Sequence, residues 1–167
     1  LLEALLCGNQ TAARSSWIGG VPGIRGYPLQ VPAGRVCTAV PAPGQLEILF
    51  CQQGSLLVEF KHGRQLRIEA GDVLFVSGSA EIRFFRPVRR MMRGILVTVE
   101  LQQPLERLWA TSGLHLDLKA VEEHLAAHEG CVSMGAPAWT QAVFSALDRL
   151  DSDECCRYCI FKAAELL

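Results

Sequence analysis

GQLEILFCQQGSLLVEFKHGRQLRIEAGDVLFVSGSAEIRFF, residues Gly44–Phe85, is the stretch that decides the fold class. It is a series of short apolar segments cut by turns. Leu46, Ile48 and Phe50 alternate with Glu47 and Leu49, and a Gln53-Gly54 turn follows. Leu56, Val58 and Phe60 make a second segment, closed by Lys61-His62-Gly63. Leu66 and Ile68 alternate with Gln65, Arg67 and Glu69. Ala70-Gly71-Asp72 leads into Val73–Val76, and Ser77-Gly78-Ser79 precedes Ile82 and Phe84. Ile95, Val97, Val99 and Leu101 then form a long strand of period two. Short strands with turn signals every roughly 8–12 residues predict an all-β sandwich or barrel.

The flanks differ from this centre. Residues 1–44 are punctuated at Gly19-Gly20, Pro22-Gly23, Pro32, Pro41 and Pro43-Gly44, which leaves room for short β segments such as Arg35–Val40 but not for long helices. Beyond Leu101 the pattern turns helical. Pro104 opens and Gly113 closes a first helix. Lys119–His128 is a second, stopped by Gly130, and Pro137 opens a third that runs to about Leu150. Asp151-Ser152-Asp153-Glu154 is an N-terminal capping cluster for a fourth. Its apolar positions Cys156, Cys159, Ile160, Ala163 and Leu167 form one amphipathic stripe. The expected organisation is an N-terminal arm and barrel over residues 1–101, then a helical segment over 102–167.

Bulk properties narrow the function classes. The chain has 167 residues, half of them hydrophobic, with mean hydropathy +0.22. A net charge of −1 is not that of a free-standing DNA-binding domain. No apolar run approaches the roughly 18 residues a membrane span needs. Leu1–Leu6 lacks the basic lead-in of a signal peptide, and the sequence has no initiator Met, so it reads as a fragment. The seven cysteines are odd in number, and Cys155, Cys156 and Cys159 cluster, unlike a secreted disulfide framework. Reduced thiols in the cytoplasm fit this usage.

Gly44 to Phe85 resembles the cupin pattern. Gly44 aligns with the Gly that opens the first cupin motif, and Gly63 with the one that closes it. Phe50 and Gln52 then stand at the motif's two His positions, and Leu56 or Leu57 at its carboxylate. Gly71-Asp72 opens the second motif, with Ser77 at its Pro position and Ile82 at its His position. Metallo-cupins hold iron, manganese or other metals through those residues. With none of them here, no metal and no cofactor are expected. A metal-less barrel followed by helices is similar to the regulatory half of bacterial AraC/XylS-family transcription regulators, over about residues 25–167. That resemblance implies a cupin-type double-stranded β-helix, a small-molecule effector and homodimerisation. It also implies that DNA is bound only through helix-turn-helix motifs beyond residue 167.

Alternation, taken with the resemblance, places the ligand-facing residues of the barrel lumen at Leu46, Ile48, Phe50, Gln52, Leu56, Val58, Leu74, Val76, Ile82 and Phe84. They either bind an effector, with Gln52 orienting it, or simply fill the barrel. Trp17 and Tyr27 are candidate lid aromatics. The stripe Cys156, Cys159, Ile160, Ala163 and Leu167 is expected at a dimer interface, the alternative being the outside of the chain's own barrel. Three other clusters have plain alternatives. Arg83, Arg86, Arg89, Arg90 and Arg93 suit an anion or DNA, or else a solvated hairpin edge. His124 and His128, with Glu123, have zinc-like spacing or sit on a helix surface. The Cys156-x-x-Cys159 pair lies within a helix, where packing is the expected role and redox sensing the minor one.

No dinucleotide, phosphate-loop or nucleophile-elbow pattern is present. The function expected is therefore non-enzymatic effector sensing and dimerisation. The alternatives are a small cupin enzyme acting on a sugar or an aromatic, and a barrel that only dimerises.

Overall fold

The computed structural model describes residues 23–38, 41–88, 91–101, 117–135 and 138–167. The first helix expected between Pro104 and Gly113 lies outside them, as do Trp17, Cys7, Arg89 and Arg90. The described chain forms strands β1 (Ile24–Val31), β2 (Gln45–Gln53), β3 (Ser55–Phe60), β4 (Gln65–Glu69), β5 (Val73–Ser77), β6 (Ile82–Pro87) and β7 (Met92–Glu100). Then follow α1 (Leu118–Ala127), β8 (Cys131–Met134), α2 (Ala138–Leu147) and α3 (Ser152–Leu166). The strand pairs are antiparallel. They build a five-stranded sheet, β1-β7-β2-β5-β8, and a three-stranded sheet, β4-β3-β6.

Two cores lie on the two faces of the larger sheet. Between the sheets, Leu29, Val31, Leu49, Cys51, Leu74, Val76, Met92 and Leu96 meet Leu56, Val58, Phe60, Ile68, Ile82 and Phe85 of the smaller sheet. On the outer face, Ile24, Leu46, Ile48, Phe50, Ile95, Val97 and Val99 meet the helices. β2 and β7 are thus buried on both sides. Burial of about 25 cal/mol per Å² of apolar surface drives both layers.

This architecture corrects the alternation reading of the barrel. Leu46, Ile48 and Phe50 do not face the lumen; they lie under the helices, and Leu49 and Cys51 face inward instead. Gln52 is half-buried at the end of β2, where the β2–β7 register shifts between Cys51 and Gln53. A register irregularity between Glu59 and Phe60 also displaces β6, so that Phe85 enters the core and Phe84 is left half-exposed beneath the Arg86 guanidinium. Leu56, Val58, Leu74, Val76 and Ile82 do lie in the core between the sheets. The physical reason is that β2 is apolar on both faces, so period two gives the alternation without its sign.

The helix starts follow the capping chemistry. Asp117 accepts from the Ala120 amide at 3.0 Å and caps α1. Asp151 accepts from Asp153 and Glu154 amides, and the Glu154 carboxylate returns to the Asp151 amide, a complete capping box for α3. β8 is absent from the sequence reading: Cys131–Met134 is too short to show a period.

The α3 stripe is also corrected as a dimer interface. Cys156, Cys159, Ile160 and Ala163 are buried in the outer core of their own chain, and Leu167 packs at its margin. Gly26 of β1 makes the close approach possible: a Cβ there would stand 3.1 Å from the Cys156 carbonyl oxygen and 3.3 Å from Ile160 Cδ1. Ile160→Ala is therefore expected to cost about 2–5 kcal/mol of fold stability. Urea unfolding measures this, and an unchanged midpoint contradicts the packing.

Candidate functional site

The strand registers order the inner face of the larger sheet into rows. Arg25 pairs with Thr98, Thr98 with Glu47, Glu47 with Val76, and Val76 with Cys131. The next row is Tyr27, Leu96, Leu49, Leu74 and Ser133. The second row and those beyond it are largely apolar. The first is polar over three adjacent strands.

Glu47 is the notable member of that row. It shares the inward face of Leu49 and Cys51 and is only 1% exposed, while Thr98 beside it is 7% exposed. Arg25, at the open edge of the row, pairs with Glu100 at 3.4 Å. Tyr27 lies one row deeper at the same edge and is half-buried. One end of the inner face therefore carries a carboxylate, a hydroxyl, a guanidinium and a phenol side by side. The rest is closed: Leu49, Leu56, Val58, Phe60, Leu74 and Leu96 are all 0% exposed. Such polar groups at the end of an apolar interior can orient a ligand by hydrogen bonds.

The sequence reading placed Glu47 on the opposite face from the lumen and so missed it. One signal for it was present: it is the lone charge in the nine-residue β2, QLEILFCQQ, whose positions from Leu46 to Cys51 are otherwise apolar.

The remaining sequence candidates are not brought together. Arg83 pairs with Glu59 at 2.9 Å and Arg86 lies over Phe84, both on the solvent side of β6. His124 and His128 stack at 4.6 Å on the exposed side of α1, while Glu123 pairs with Lys119. Among the described residues no three His, Cys, Asp or Glu side chains are grouped as metal ligands.

The six described cysteines are buried. Burial pushes the thiols of Cys51, Cys131 and Cys156 from the ordinary 9 up to about 12; nearby Asp72 and Glu69 add to this at Cys51. Burial also raises Cys155 and Cys159. A Cys-x-x-Cys pair poised for exchange needs the opposite shift.

No protein-family model matches the sequence, and no curated protein matches it. Solved structures do resemble it. The apo ToxT variant from Vibrio cholerae overlays with a TM-score of 0.51 at 10% identity, over 84% of this chain and 54% of that one. Ectoine synthase from P. lautus gives 0.40 at 19% identity, covering 70% and 69%. An RmlC-like cupin family protein with a double-stranded β-helix fold, from Methanocaldococcus jannaschii, gives 0.39 at 9% identity, covering 50% and 75%. The chain spans about half the length of ToxT. Among the described residues no helix is long and apolar enough to cross a membrane.

The thiols give a test of this interior. At pH 8 a bulky disulfide reagent is expected to modify the six buried cysteines only at the rate of unfolding; fast reaction of Cys156 or Cys159 contradicts the burial. Because the folded thiols titrate above the unfolded ones, stability is held below pH 9 and lost as pH rises from 9 toward 12. Denaturant midpoints across that range measure the loss.

What the described residues build is a cupin-type fold: two antiparallel sheets face to face, the larger covered by C-terminal helices, with a polar row at one end of the interior.

Proposed function

We propose that the chain is the effector-sensing and dimerising part of a bacterial AraC/XylS-type transcription regulator, non-enzymatic and metal-free. The observation that carries the reading is Glu47, a carboxylate closed off at 1% exposure on the inner face, in line with Thr98 and Arg25. A small molecule reaches it only when that end of the barrel opens, so binding favours one of two states. Differential affinity for two states is the physical requirement for sensing. A donor-rich ligand, such as a polyol, an amino compound or a hydroxy acid, matches a carboxylate flanked by a hydroxyl.

Two further points support it. The overlay on ToxT extends over 84% of the chain, more than a barrel alone supplies, although at 10% identity it speaks to fold only. The inward positions of β2 hold Glu47, Leu49 and Cys51 and no histidine, so this strand offers no imidazole–carboxylate pair to the interior. DNA contact belongs, on this reading, to motifs outside the chain.

Thermal-shift screening with polyols, amino compounds and hydroxy acids tests the proposal. At a concentration of 100 times Kd, a ligand should add about 2.7 kcal/mol. That corresponds to a Tm increase of roughly 5–10 °C for a domain of this size. Glu47→Gln should keep the fold and lose the shift. A shift unaffected by Glu47→Gln places the ligand elsewhere; no shift across all three classes contradicts the sensor reading.

A further inference from the structure

Among the described residues, Glu129 is the one non-glycine residue with positive φ, 60°, in the turn between α1 and β8. An L side chain is strained in that left-handed conformation, and such strain persists only where the surroundings hold it. Gly130 beside it is anchored to the β5–β6 loop. Its carbonyl accepts from the Ser77 amide at 2.8 Å, and a Cβ on it would stand 2.6 Å from the Ala80 amide nitrogen. From this anchor the Glu129 carboxylate reaches to the β3–β4 turn of the smaller sheet. There it pairs with the Arg64 guanidinium at 2.8 Å and lies 3.5 Å from His62 Nε2. Arg64 in turn covers the Phe60 ring, 4.9 Å from its centroid.

The strand register places this bridge at the Glu47 end of the interior. Glu47 pairs with Val76, Val76 pairs with Cys131, and Cys131 follows Glu129 by two residues. Neighbouring strands stand about 4.8 Å apart, so roughly 10 Å of sheet separate Glu47 from Cys131. The Cys131 thiol is 1% exposed. Burial raises it, and Arg64 is near enough to act in the opposite direction. The bridge therefore lies across the end of the row that holds Glu47, with Cys131 beneath it.

We propose that Arg64, His62 and Glu129 form a clasp that holds the two sheets together at the Glu47 end, and that its release is the local opening through which the interior is reached. The clasp is weakly held. Its three side chains are 43% to 47% exposed, and ion pairs so exposed are weak and screened by salt. Release also relieves the backbone strain at Glu129. The closed state thus leads by a small margin, as a two-state element requires. The movement has an outlet. Glu129 follows directly on α1, whose Leu118 and Leu125 are buried in the outer core. A released turn changes what holds the end of α1, so the opening is felt in the helix layer. That the opening admits the effector proposed above rests on that reading; the clasp itself does not.

Cys131 reports the opening, with Cys159 of the outer core as internal reference. The whole chain is treated with a bulky disulfide reagent under native conditions, and the labelling rate of each thiol is read by peptide mass spectrometry. Unfolding midpoints are taken for every variant. In the unmutated chain both thiols should label at the rate of global unfolding. Arg64→Glu should speed Cys131 roughly tenfold or more while Cys159 stays slow. Loss of the guanidinium disfavours the reactive thiolate, so a faster Cys131 in this variant reports access. Glu129→Gly removes the carboxylate and the strain together, and should free Cys131 without lowering the midpoint. Arg64→Glu combined with Glu129→Arg should return Cys131 to slow labelling, because the pair re-forms with reversed polarity. Cys131 no faster in either single variant overturns the clasp and leaves the sensor reading to its own ligand test. Cys131 and Cys159 speeding up together means global opening, which overturns the clasp as well. A combined variant as fast as Arg64→Glu overturns the pairing.

Discussion

The larger sheet is apolar on both faces, and the rest of the structure depends on that. β2 and β7 lie at its centre, with the inter-sheet core on one side and the helix layer on the other. Neither layer can be removed without exposing strands that carry bulky aliphatic residues on that side. The helices are for this reason part of the domain's core. The close contact of Gly26 with Cys156 and Ile160 shows how tightly the outer layer is fitted.

This constraint also explains what the sequence revealed and what it hid. The turns at Gln53-Gly54, Lys61-His62-Gly63 and Ala70-Gly71-Asp72 fixed the strand count of the central region, because glycines at positive φ stand at each of them. The helix start at Asp151 was legible from side-chain oxygens placed to meet free amides, whereas the Asp117 cap of α1 went unread. The direction in which β2 faces was not legible, since Leu46, Ile48 and Phe50 on one side are as apolar as Leu49 and Cys51 on the other. The bulkier set went to the helices, and Glu47 went inward with the smaller set. In the same way the α3 stripe was readable as a buried surface, but its partner was not: an amphipathic helix shows that it must pack, without showing on what.

The placement of Glu47 gives the functional argument its physical content. A carboxylate held at 1% exposure must have its hydrogen-bonding needs met from within. Any ligand that takes over that role competes with the closed state, so occupancy and opening of the barrel end are linked. The rows behind it are packed shut, which restricts such a ligand to the polar end and to modest size. The helices lie on the opposite face of the larger sheet, one layer away from Glu47. On the proposed sensing role, coupling from the interior to α3 would run through β1 and β7, which α3 contacts.

Hydrogen exchange followed by mass spectrometry on the whole chain measures this two-faced burial most directly. The account predicts that amides of Gln45–Gln53 and Met92–Glu100 exchange slowest, by global unfolding alone, while Gln65–Glu69 at the edge of the smaller sheet exchanges sooner by local opening. Exchange of the β2 and β7 amides as fast as those of β4 would contradict it, because a sheet covered on both faces has no local route to solvent.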